Sequence, residues 1–136
     1  MLRPLGLLWL LTFCTYANHV HWLGEYDTAL QLAHKESKPL LVLVIKHKDP
    51  LSHTIVKEHF MNHDYVDKIN QKMIAVIVTY EGRSSYPIEM YYTRVFPTLF
   101  FVDTKTEMFM REPLYGEQIK SDILENIIHI TYKLSP

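Results

Sequence analysis

The sequence predicts an α/β domain with a mixed sheet of four or five strands and helices on both faces. Three observations carry this. Pro39 to Ile45 and Met73 to Thr79 are two short, unbroken apolar runs, the pattern of strands buried on both faces. Helical periodicity fills the chain between them, so the two strands form a βαβ unit, parallel and right-handed in its crossover. A third apolar run, Leu99 to Val102, is followed within a few residues by Glu107 to Arg111, close enough to pair antiparallel as a hairpin.

Each element has its own signal. Val20 marks a short edge strand in the lead-in from Asn18 to Glu25. Tyr26, Ala29, Leu30 and Ala33 fall at i, i+3, i+4 and i+7, one stripe of a helix from Tyr26 to Lys35. After the first apolar run, charge arrives abruptly at Lys46, His47, Lys48 and Asp49. Asp49-Pro50 is a helix start. The carboxylate suits the N-cap because it accepts orphan N–H groups, and proline suits the next position because its missing N–H has no partner there. The helix runs to about Met61, with Leu51, Ile55, Val56, His59 and Phe60 near one face. Asp64 caps a further short helix through Tyr65, Val66 and Ile69. Pro87 to Tyr92 reads as one or two helical turns. Gly116 precedes a last amphipathic helix from Glu117 to about Tyr132.

The chain has 136 residues, enough for one domain, and a formal net charge of -1. Its Lys and Arg are scattered, which argues against a nucleic-acid footprint. Residues 1–17 differ from the rest. Arg3 is their one charge, Leu5 to Phe13 is apolar, and Thr15 and Ala17 are small. That is the pattern of a secretory signal peptide with cleavage after Ala17, leaving residues 18–136 as the folded domain. The apolar run is shorter than the ~20 residues of a spanning helix, so no stable membrane span is expected after cleavage. An uncleaved anchor is one rival. Lipidation at Cys14 is another, against which stands the bulky Phe13. Cys14 is the chain's one cysteine. Its removal with the signal leaves no thiol nucleophile, no redox pair and no thiolate metal site.

The element order, with a proline just before the third strand, resembles the thioredoxin superfamily. The resemblance rests on KPLLVLVIKHKDPLSHTIVKEHF, then HDYVDKIN, then VFPTLFFVD, and covers about Trp22 to Tyr132. These segments are similar to small exported thioredoxin-like domains in which a KP-strand-C-x-x-C-helix-F segment precedes a second short helix. The resemblance implies a cis proline at Phe96-Pro97 facing the active site, and it places the C-x-x-C on Asp49-Pro50-Leu51-Ser52. Both cysteines are replaced. A helix N-terminus lowers the pKa of an attacking thiol, but a carboxylate cannot form a mixed disulfide, so thiol–disulfide exchange is not expected. The resemblance also implies an exported, bacterial periplasmic protein. The family's peptide groove, between the helix start and the residue before the cis proline, is left as a candidate site on Asp49, Pro50, Ser52, His53, Phe96 and Pro97, for an extended peptide or protein partner held by strand addition. The plainer reading of Asp49 is a helix cap alone.

Two other constellations stand beside this one. His19 and His21 lie beside the expected new N-terminus, where an amine, an amide and an imidazole suit Cu(II), so a copper- or zinc-handling protein is the alternative function, with His47 or His53 as further ligands. His59 and His63 have the i, i+4 spacing of zinc sites but lack the Glu of a His-Glu-x-x-His motif. Asp49, Ser52 and His53 contain the letters of a hydrolase triad, yet neighbouring helical residues point about 100° apart and no strained nucleophile turn surrounds the serine. A non-thiol enzyme is the third reading. No cofactor is expected.

Overall fold

A computed structural model describes residues 18–82 and 85–134. Residues 1–17, where the signal peptide and Cys14 are expected, lie outside the described residues. The order is β1 (Trp22–Leu23), α1 (Tyr26–Glu36), β2 (Leu40–Lys46), α2 (Pro50–His59), α3 (Asp64–Lys72), β3 (Ile74–Tyr80), β4 (Thr98–Asp103), β5 (Met108–Phe109), β6 (Leu114–Tyr115), a 3-10 turn at Gly116–Gln118, and α4 (Ser121–Leu134).

Six strands form one mixed sheet, ordered β1-β3-β2-β4-β5, with β6 also on β4. The expected four or five strands become six because a further short piece, β6, docks beside the expected β5 on the same edge of β4. β2 and β3 run parallel from Leu40↔Ile74 to Lys46↔Tyr80. β4 lies antiparallel on the other side of β2, with Val44 opposite Thr98. The two continuous apolar runs sit at the centre of the sheet, as their burial on both faces requires.

Alternation along these strands divides the core. Leu40, Val42 and Val44 join Val76, Val78, Phe100 and Val102 under Tyr26, Ala29 and Ala33 of α1. Leu41 and Leu43 join Leu99 and Phe101 on the opposite face, under Ile55 of α2, Val66 and Ile69 of α3, and Leu124 and Ile128 of α4. Helices therefore cover both faces.

Several boundaries differ from the sequence expectations. α2 stops at His59, and Asn62, at φ +58°, turns the chain. His63 occupies the N-cap of α3, and Asp64 is its first residue. Pro87 to Tyr92 makes a single turn, closed by Tyr91 N–H donating to the Pro87 carbonyl at 3.2 Å. The expected strand over Glu107–Arg111 shrinks to two residues, because only Phe109 and Met108 pair, with Val102 and Asp103. The last helix begins at Ser121 rather than Glu117: Gly116 at φ +53° starts a 3-10 turn, and the chain leaves it at Ile119 before α4 begins.

Candidate functional site

The site is built from chain ends that the sheet brings together. β2 delivers the chain to a turn in which Lys48 adopts φ +57° and Asp49 N–H donates to the Lys46 carbonyl at 3.3 Å. Asp49 is then the N-cap of α2, and Pro50 its first residue. Asp49 Oδ2 accepts from the Ser52 N–H at 3.2 Å and from the Ser52 hydroxyl at 2.6 Å. Ser52 is only 3% exposed, so its hydroxyl needs a partner and finds one in the cap carboxylate. His53, the next residue, is exposed. Ser52 Oγ thus donates to the carboxylate directly rather than to an imidazole, and the three letters of a triad do not form one.

Because β4 is antiparallel to β2, the residues just before Thr98 lie at the same end of the sheet as the start of α2. The Phe96-Pro97 bond there is cis, as the resemblance implied. The loop is held from three directions. Thr98 Oγ1, fully buried, donates to the Val95 carbonyl at 2.5 Å, and the Thr93 hydroxyl touches both that carbonyl and Thr98 Oγ1. The Pro97 carbonyl accepts from Gly116 N–H at 2.8 Å. The Phe96 ring packs on Tyr80, centroids 5.3 Å apart. Around the loop, Tyr92, Val95 and Tyr115 are large apolar side chains left exposed.

The structure therefore gathers Asp49, Pro50, Ser52 and His53 with Phe96 and Pro97 at one end of the sheet. It does not bring His19 and His21 there. His19 bridges to Met61, past the C-terminal end of α2 and so at the opposite end of that helix from Asp49, His47 and His53. The His19 and His21 rings meet edge-on with centroids 5.6 Å apart. Their backbone is engaged: Asn70 Oδ1 accepts from His21 N–H at 2.8 Å, and Asn70 Nδ2 donates to the His19 carbonyl at 2.9 Å. Among the described residues no three His, Cys, Asp or Glu side chains are grouped as a metal site.

The sequence did not show three contacts. Tyr115 flanks the proline loop only because β6 pairs it with Thr98. His59 and His63 do not share a helix, yet both reach Ser121 Oγ, His59 Nδ1 at 2.7 Å and His63 Nε2 at 3.2 Å. Beneath the other face, the Tyr26 and Tyr91 hydroxyls touch at 2.8 Å, and burial pushes both phenols above their ordinary range.

No protein-family model and no curated protein matches the sequence, whereas solved structures do. One titled "DsbH Oxidoreductase" superposes with a TM-score of 0.66 at 14% identity, covering 99% of this chain and 92% of that one. The fold is thioredoxin-like. A thioredoxin from Thermus thermophilus aligns with a TM-score of 0.66 at 16% identity over 85% of this chain and 89% of its own. A structure of a ferredoxin:thioredoxin reductase complex with thioredoxin f2 aligns with a TM-score of 0.57 at 14% identity, covering 85% of this chain and 97% of that one. At these identities the likeness concerns the thioredoxin fold alone. This chain contains a single cysteine, so it holds no pair of thiols that could form an internal disulfide.

Proposed function

We propose that this thioredoxin-fold chain is an exported, redox-inactive binding module that holds an extended segment of a partner protein at the Asp49–Pro97 end of its sheet. The observation carrying the reading is the Phe96-Pro97 loop, set at the same end of the sheet as the start of α2 and flanked by the exposed side chains of Tyr92, Val95 and Tyr115. Exposed large apolar groups close together mark interaction surfaces more often than scattered ones do. Threonine hydroxyls pin this loop from below, so its backbone is presented in a fixed shape to a segment adding by strand pairing. Asp49 is committed to the helix cap and contributes polarity to one wall rather than chemistry. The absence of a second cysteine favours holding over thiol exchange.

The test is capture from an exported fraction with tagged protein, read by mass spectrometry, against Phe96→Asp and Val95→Asp. A partner retained by the wild type and lost at least tenfold from both variants supports the reading. Lys105→Glu, on an exposed turn beyond β4, serves as the matched control. Equal capture by all four proteins would overturn it.

A further inference from the structure

The flank of α2 that faces β3 holds a feature to which neither Phe96 nor Pro97 contributes. A cavity of about 470 Å³ lies between the first turns of α2 and the C-terminal ends of β2 and β3. Ile45, Val56 and Ile77 supply its apolar surface, and each is only half-buried. The floor stays open because β3 continues to Tyr80 while its pairing with β1 ends at Val76. Among the described residues, no strand covers that edge of β3 beyond Val76. Lys46, His47, Lys48 and His53 also line the cavity, and all four are exposed.

No carboxylate side chain lines the cavity. The chain as a whole has 15 Asp and Glu against 14 Lys and Arg, so this is a local excess of one sign. The nearest acid in sequence, Asp49, is turned into the helix cap, where Ser52 N–H and Oγ occupy its Oδ2. The volume falls within the range of small-molecule sites, which are mostly apolar with a few placed polar groups.

We propose that this cavity binds a small amphipathic anion, a carboxylate carried on a compact aliphatic or aryl body. The apolar body lies on Ile45, Val56 and Ile77 and is removed from water there. The carboxylate sits at the rim, where the Lys46 and Lys48 ammonium groups attract it and the imidazole N–H groups of His47 and His53 donate to it. A neutral amphiphile gains only the first of these terms, and a cationic one meets repulsion at the rim. The site shares Ser52 and His53 with the peptide surface but uses neither Phe96 nor Pro97, so the two readings stand or fall separately.

Decanoate, decanol and decyltrimethylammonium, each below its aggregation concentration, test the proposal by calorimetry and by amide shifts of the labelled protein. Decanoate is expected to bind saturably, one per chain, with shifts centred on Val56 and Ile77 and an affinity at least tenfold above that of decanol. The double variant Lys46→Glu/Lys48→Glu alters exposed side chains, and its melting temperature checks that the fold is intact. It is expected to lose decanoate affinity at least tenfold while binding decanol as before. Phe96→Asp is expected to bind decanoate like the wild type. Equal affinity for the three probes, shifts centred elsewhere, or a charge reversal without effect would each overturn the proposal. So would shifts at this cavity produced by a captured peptide but not by decanoate.

Discussion

Asp49 does two jobs with one oxygen. Its Oδ2 satisfies an orphan N–H of the first turn of α2 and also the hydroxyl of Ser52, which is almost entirely buried. Removing a good N-cap costs about 1 kcal/mol. Leaving a buried hydroxyl without its partner adds roughly 1–3 kcal/mol, less whatever water recovers. Asp49→Ala is therefore expected to destabilise the domain by about 2 kcal/mol, measured by urea unfolding. Ser52→Ala removes a hydroxyl and its need for a partner together, so it should cost less than about 1 kcal/mol. If Ser52→Ala proves the more damaging of the two, the cap is not what holds this turn. Asp49→Asn keeps a capping oxygen and is expected to fall between them.

At the scale of elements, α1 and the turn at Pro87–Tyr91 are joined by two phenols. Tyr26 and Tyr91 meet edge-on with centroids 5.4 Å apart and share a hydrogen bond within the α1-side core. Burial is the first cause raising each above the ordinary 10.0, and the Glu107 carboxylate adds to it. A phenol whose pKa is raised by folding gives up its proton more readily in the unfolded chain. The native state therefore binds more protons once pH exceeds 10, and stability falls as pH rises further. Below pH 10 the contribution is fully present. The melting temperature is expected to be insensitive to these groups from neutrality to about pH 10, the ordinary phenol pKa, and to drop above it. Tyr26→Phe/Tyr91→Phe removes both partners together, so little stability should be lost at pH 7. The alkaline drop should become shallower without vanishing, because Tyr65 and Tyr86 are also raised by burial. An unchanged alkaline limb in the double variant would assign the drop to other groups.

The same scale shows what the chain made legible. β2, β3 and β4 announce themselves because burial on both faces leaves uninterrupted apolar runs, and Asp49-Pro50 announces α2 because capping is local chemistry. β5 was legible only as a strand too long at both ends, and β6 not at all, since two-residue strands have no period and their residues are mostly exposed. The start of α4 is equally silent. Its position follows from Gly116, which donates across space to the Pro97 carbonyl, and from Ser121, which meets two histidines from elsewhere in the chain. The candidate site was readable as two separate segments, from the helix start and the proline. Its exposed apolar surround was readable only in part: Tyr92 and Val95 precede the proline in sequence, whereas Tyr115 reaches the loop through pairing that only the folded sheet creates.

Over the whole molecule, the sheet order decides what chemistry the site can host. Parallel β2 and β3 with antiparallel β4 place a helix start beside a cis proline whatever side chains occupy the two positions. The wild-type chain, with one cysteine, should therefore reduce insulin no faster than background. Asp49 Oδ2 and Ser52 Oγ already lie 2.6 Å apart. A cysteine would place its sulfur at the Asp49 Cγ, one bond from Oδ2, and at the Ser52 Oγ, so the two sulfurs would come within reach of a disulfide after side-chain rotation, and the helix N-terminus lowers the pKa of a thiol placed at the cap. Asp49→Cys/Ser52→Cys is accordingly expected to form an internal disulfide in air, to show one low-pKa thiol when reduced, and to reduce insulin at least tenfold above the wild-type background. Either single variant should stay at background, since a lone thiol cannot resolve its mixed disulfide from within. A folded double variant that oxidises but never turns over would mean that the surface around Phe96 no longer admits a disulfide substrate. One that never forms the internal bond would mean that the two positions are not held as the cap geometry places them.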